Sequence, residues 1–118
     1  MNITQRPIYA KDETYRTKRN SGDDPAYLAR VRDLPCIICE SFGMQQTSPT
    51  TAHHPIMGRG GSRRTPDAMA IPICDGHHQG TFDTRKIALH QTPKAWREAY
   101  GPDTDYVAVT QDKLEMMK

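Results

Sequence analysis

The chain has 118 residues, a hydrophobic fraction of 36% and a mean hydropathy of −0.78, which suits one domain with a thin core and excludes a membrane-spanning segment. A formal charge of +2 is too mild to argue by itself for a nucleic-acid partner. Three cysteines cannot pair off into a closed disulfide framework, and the opening residues Asn2, Thr4, Gln5 and Arg6 carry no apolar signal, so the expected compartment is the reducing cytoplasm.

Residues 1–24 mix Arg6, Lys11, Arg16, Lys18 and Arg19 with Asp12, Glu13, Asp23 and Asp24 and show no period. They read as a flexible or surface-draped arm, serving either as a strand of DNA-phosphate contacts or as a solvated tail. A helix follows. Asp24 is a good N-cap, Pro25 suits the first helical position, and Tyr27, Leu28, Val31 and Leu34 recur on one face until Pro35 stops it. The chain turns at once into Cys36-x2-Cys39, the shape of a zinc knuckle, and then into a polar loop over residues 41–51. Thr51 to Ile56 is strand-compatible around the pair His53-His54. The basic loop Gly58-Arg59-Gly60-Gly61-Ser62-Arg63-Arg64 comes next. A second strand is expected from Met69 to Ile73, where Pro72 implies an edge or irregular position. Cys74-Asp75-Gly76-His77-His78 then enters a short helix that bears the second histidine pair. Thr92-Pro93 opens a better helix, with Ala95, Trp96, Ala99 and Tyr100 on one face and Gly101 as its C-cap. Tyr106 to Val109 reads as a last strand, and Gln111 to Lys118 as a frayed tail helix. The order predicts a small α+β fold in which a two-stranded ribbon is clamped to a helix. Residues 25–104 form the domain, 1–24 the arm and 105–118 a C-terminal tail.

All three cysteines and all five histidines fall between residues 36 and 90. Cys36, Cys39 and Cys74 supply three thiolates for a structural zinc, and the Cys-x2-His spacing offers His77 as the fourth ligand, with His78 as the alternative. The remaining histidines exceed what one tetrahedral site needs and point to a second, catalytic metal site. His53 and His54 are neighbours on a strand, so their side chains leave opposite faces. One would bind metal while the other faces substrate as a base. His78 and His90 are further candidate ligands.

Cys-x2-Cys, His-His, a glycine-rich stretch and Asp-x4-Pro-Ile-Cys-x2-His-His together resemble the HNH, or ββα-metal, nucleases. The segments Ile71 to Gln79 and Leu89-His90-x5-Trp96-Arg97-x2-Tyr100-Gly101 are similar to phage recombination-enhancement (Ref) nucleases and related small phage and prophage HNH proteins. The resemblance covers roughly residues 26 to 101. It implies a ββα-metal core with a structural zinc knuckle and flanking helices, and a DNA endonuclease or nickase of phage or prophage DNA metabolism or recombination. His54 would be the general base. His53, His78 and His90 would hold the catalytic ion, which the donor set allows to be Mg2+, Mn2+ or Zn2+. The family's central Asn has no obvious counterpart here; Asp67, the nearest polar candidate before the second strand, would orient His54 or fix the loop backbone. Arg59, Arg63 and Arg64 would hold flanking phosphates. The implied partners are DNA and a recombinase filament, with no membrane and a monomeric chain. The competing reading is a non-catalytic zinc-stabilised nucleic-acid-binding module, which needs only the knuckle and leaves His53, His54 and His90 idle. A metallohydrolase of small substrates fits less well, because the chain offers no long apolar pocket-forming segment.

Overall fold

The computed structural model describes residues 22–58 and 64–117. The first helix, α1 (Pro25–Arg32), begins as its sequence dictates: the Asp24 side chain accepts a hydrogen bond from the Tyr27 amide at 3.1 Å, and Pro25 occupies the first turn. Val31 and Leu34 are buried, with Tyr27 and Leu28 packed beside them. A short helix, α2 (Ile37–Ser41), follows with Cys36 as its N-cap, so the first cysteine of the knuckle also starts an element.

Two strands, β1 (Thr50–His53) and β2 (Ile71–Cys74), pair antiparallel with Thr50 opposite Cys74 and His53 opposite Ile71. Each strand of such a ribbon has an open edge, so the missing amide of Pro72 is tolerated. Every residue of β2 is buried. Ile71 and Ile73 enter a core with Ile37, Ile38, Leu89 and Trp96, into which the cysteines also pack. Val31, Leu34, Ala70 and Leu114 form a second, smaller core. The result is a small α+β fold of one two-stranded sheet surrounded by helices.

Two elements differ from expectation. After Cys74 the chain forms a single 3-10 turn, Asp75–His77, and no longer helix. The Asp75 carboxylate accepts the amides of Phe82 at 2.8 Å and Asp83 at 2.9 Å, which folds the chain back on itself and competes with helix propagation. The regular helix comes later as α3 (Pro93–Tyr100), ended by Gly101 at φ 86°. The segment Tyr106–Val109 is not a strand. A 3-10 turn over Asp103–Tyr106 runs into α4 (Val107–Met116), which is an ordered helix where a frayed tail was expected. Buried Thr110 returns its hydroxyl to the Tyr106 carbonyl at 2.8 Å, and Leu114 enters the second core. Burial of those two side chains overrides the strand preference of Val107 and Val109, as tertiary context commonly does. The arm over residues 1–21 and the loop residues 59–63 lie outside the described residues. Among those described, no helix is long and apolar enough to cross a membrane.

Candidate metal centres

The α2 cap, the end of β2 and the 3-10 turn bring Cys36, Cys39, Cys74 and His77 together, all four buried, with their donor atoms within 4.8 Å of one another. His77 Nδ1 lies 3.6 Å from Cys36 Sγ, 3.6 Å from Cys39 Sγ and 3.4 Å from Cys74 Sγ, and the Cys39 and Cys74 sulfurs are 3.9 Å apart. A tetrahedral zinc with Zn–S near 2.3 Å and Zn–N near 2.0 Å sets sulfurs about 3.8 Å apart and sulfur to nitrogen about 3.5 Å. The cluster therefore has the dimensions and the soft donors of a zinc site, and it uses His77 rather than His78. No disulfide competes for the thiols. The hydrogen bond between Cys36 and Cys74 pushes the Cys36 thiol up, with burial adding to it, and holds Cys74 down with help from His77. The far nitrogen of His77, Nε2, meets the Tyr100 hydroxyl at 3.3 Å, and its carbonyl accepts from the Trp96 indole at 3.0 Å, so α3 fixes this ligand from behind.

His53, His78 and His90 form a second group, again with donor atoms within 4.8 Å of one another. Their rings pack edge-on or tilted, with centroids 4.9 Å apart for His53 and His78, 5.3 Å for His53 and His90, and 4.8 Å for His78 and His90. Residues 79–89 intervene between His78 and His90, but two backbone bonds close that loop: Leu89 N to His77 O at 3.0 Å and His90 N to His78 O at 3.0 Å. Gln91 adds side-chain bonds to the Gln79 and Gly80 carbonyls at 2.8 and 3.1 Å. His53 and His78 are buried and His90 is exposed, which gives the group one open side. Burial, with the neighbouring imidazoles, drives His78 down to about 3, so its ring is neutral and carries a lone pair at physiological pH. A divalent ion fits this donor set.

His54 follows directly after β1 and is partly exposed. Its Nε2 lies 2.7 Å from Asp67 Oδ1. Asp67 also accepts the Asp24 amide at 2.7 Å and sits 3.4 Å from the Arg64 guanidinium. The Asp24 amide, with His54 and Arg64, outweighs burial and holds the Asp67 carboxyl below its ordinary range. Asp67 thus touches His54 and also ties down the backbone before α1. Arg64 is exposed and pairs with Asp23 at 3.0 Å as well. Arg59 and Arg63 lie outside the described residues.

Sequence reasoning missed Asp103. Fully buried, it lies 2.8 Å from His53 Nε2 and accepts the Ile56 amide at 2.8 Å and the Met57 amide at 3.2 Å. Burial works against its charge, but the bonds from His53, Ile56 and Met57 prevail and its carboxyl sits below the usual range. It follows the Gly101-Pro102 turn, a feature that reads as a helix end and carries no trace of a partner fifty residues upstream. Thr51 was missed too: its Oγ1 is 2.7 Å from His78 Nδ1.

Fold and site together define a small α+β protein with a buried Cys3His cluster that can hold a metal such as zinc. The chain belongs to the family described as Protein of unknown function (DUF968), whose model matches residues 12–116. No curated protein and no solved structure matches it.

Proposed function

We propose that this protein is a metal-dependent DNA phosphodiesterase of the HNH type, an endonuclease or nickase, built on a reduced ββα-metal core with a structural zinc. The observation that carries the reading is the arrangement around β1. Three imidazoles, two buried and one exposed, gather at His53, the last residue of β1, and the next residue, His54, is partly exposed and bound to a carboxylate. A binding module stabilised only by its zinc knuckle has no use for four histidines placed this way.

His53, His78 and His90 would hold one divalent ion, Mg2+, Mn2+ or Zn2+, which when bound neutralises charge on the phosphate and on the leaving 3′ oxygen. His54 is the general base. With Nε2 turned to Asp67, its Nδ1 is left to take a proton from a water aligned with phosphorus. The water oxygen forms the new bond to phosphorus, the bond to the 3′ oxygen breaks, and the water proton ends on His54. Asp67 keeps the ring oriented and balances the imidazolium that forms. Arg64, beside Asp67, and the loop residues Arg59 and Arg63 hold flanking phosphates, contacts that carry no sequence code.

Plasmid cleavage by the purified chain with each divalent ion in turn, with and without a recombinase filament, tests the proposal. Wild type should nick or linearise the plasmid, and His54→Ala should lose about 100-fold or more in rate while keeping its DNA affinity and both metal sites. Binding that persists with no cleavage under any ion would leave only the zinc-stabilised binding module. Affinity that does not fall with salt would remove the arginines from the DNA contact.

A further inference from the structure

We infer that Asp103 and Thr51 are positioning residues that select opposite tautomers in two buried imidazoles, so that His53 presents Nδ1 and His78 presents Nε2 to the same ion. The inference rests on reading His53, His78 and His90 as a metal site, and it deepens that reading to named donor atoms.

A neutral imidazole carries one proton on one nitrogen, and only the other nitrogen can bind metal. For His53 the choice is made by Asp103. This carboxylate is fully buried and accepts two backbone amides, Ile56 at 2.8 Å and Met57 at 3.2 Å, besides facing His53 Nε2 at 2.8 Å. A carboxylate that gathers three donors acts as an acceptor throughout, so the His53 proton lies on Nε2 and the lone pair on Nδ1. For His78 the choice is made through proton counting on Thr51. Its hydroxyl oxygen lies 2.7 Å from the Ile73 carbonyl and 2.7 Å from His78 Nδ1. A carbonyl can only accept, so the single hydroxyl proton goes to Ile73. The contact with His78 must then be donated by the ring, as Nδ1–H to Oγ1, which leaves the Nε2 lone pair free. Had Thr51 given its proton to His78, two acceptor oxygens would face each other at 2.7 Å inside the protein.

Asp103 has a second consequence. The amides it accepts belong to the residues that lead from β1 into the glycine-rich loop. One carboxylate therefore holds both the ring of His53 and the backbone at Ile56 and Met57. Thr51, two residues before His53 on the same strand, anchors the ligand that arrives from the far end of β2.

The test uses the full chain with its cysteine site loaded. Long-range proton–nitrogen correlation spectra of the imidazoles, taken before a second ion is added, should show His53 protonated at Nε2 and His78 at Nδ1. Titration with Zn2+ should then shift His53 Nδ1 and His78 Nε2. In Asp103→Asn one amide oxygen must serve three donors, so His53 should become a tautomer mixture and second-site affinity should fall by about 10- to 100-fold. Thr51→Val should do the same to His78, and Thr51→Ser should restore it. Thiolate-to-cobalt absorption from the cysteine site, unchanged in each variant, reports that the fold survives. Should Asp103→Asn fail that check, the wild-type spectra and the Thr51 pair still decide. His53 protonated at Nδ1, or Thr51→Val binding as tightly as wild type, would overturn the inference while leaving the metal site standing. A chain that binds one ion in total, at the cysteines, would overturn the metal-site reading and the inference with it.

Discussion

Cys39 is a core residue and a member of the cluster that can hold a metal. It is 3% exposed, packs with Ile37, Ile38 and Trp96, and has its sulfur 3.6 Å from His77 Nδ1. The combination follows from a short chain with few apolar residues: where little surface can be buried, a coordinated ion ties together segments that side-chain contact alone would hold weakly. A structural zinc contributes about 10–16 kcal/mol in small domains, as much as or more than the whole stability of a typical fold. Cys39→Ser keeps the size of the side chain but offers a hydroxyl that does not ionise near neutral pH, and strands a polar group in the core. The variant should lose stoichiometric zinc and its cooperative thermal transition. Metal analysis together with melting curves checks this, and a variant with full zinc content that melts like wild type would contradict it.

At the scale of elements, the segment between the 3-10 turn and α3 determines whether His90 reaches His78. Three devices close it. Asp75 gathers the amides of residues 81–83, the backbone bonds of Leu89 and His90 return to residues 77 and 78, and Gly80 turns the chain at φ 67°. A Cβ at residue 80 would stand 2.7 Å from Gln91 Nε2 and 2.8 Å from the Ala88 methyl, in a backbone region that L side chains disfavour. Gly80→Ala should cost about 1 kcal/mol or more. Because the strain falls on the closure and not on the knuckle, metal binding at the histidine cluster should weaken while the cysteine site keeps its ion. Cobalt titration followed by visible spectra separates the two sites, and equal weakening of both would place the damage in the fold at large.

Across the molecule, α4 closes the structure over α1. Leu114 is buried against Val31, Leu34 and Ala70, the Arg30 guanidinium donates to the Leu114 carbonyl at 2.8 Å, and Gln111 donates to the Ala68 carbonyl at 2.8 Å. Lys113 pairs with Glu40 on α2. These contacts join the last element of the chain to its first two and to the stretch that holds Asp67. Leu114→Ala should therefore destabilise the whole domain by about 2–5 kcal/mol, the range for truncating a buried leucine. Urea denaturation with an unchanged slope is the measurement. A loss under about 0.5 kcal/mol, the size of an ordinary surface substitution, would make the helix a detached appendage.

What the sequence determined by itself is what local chemistry can state. Asp24-Pro25 starts α1, Thr92-Pro93 and Gly101 bound α3, and Cys36-x2-Cys39 with Cys74-x2-His77 carries the spacing of the cysteine cluster, because caps, turns and ligand pairs act within about four residues. The same local rules misread Tyr106–Val109, where burial of Thr110 and Leu114 makes strand-forming side chains helical. They also extended a helix past Cys74, where the Asp75 carboxylate draws the chain into a loop. Only the tertiary structure decided that His77 and not His78 joins the thiols, that His90 comes back beside His78, and that Asp103 and Thr51 stand behind the histidines. Those partners are far apart along the chain, and a buried carboxylate meeting an imidazole leaves no spacing to read. Which atoms meet is set by how the ribbon, the closed loop and α4 pack, a property of all the contacts together.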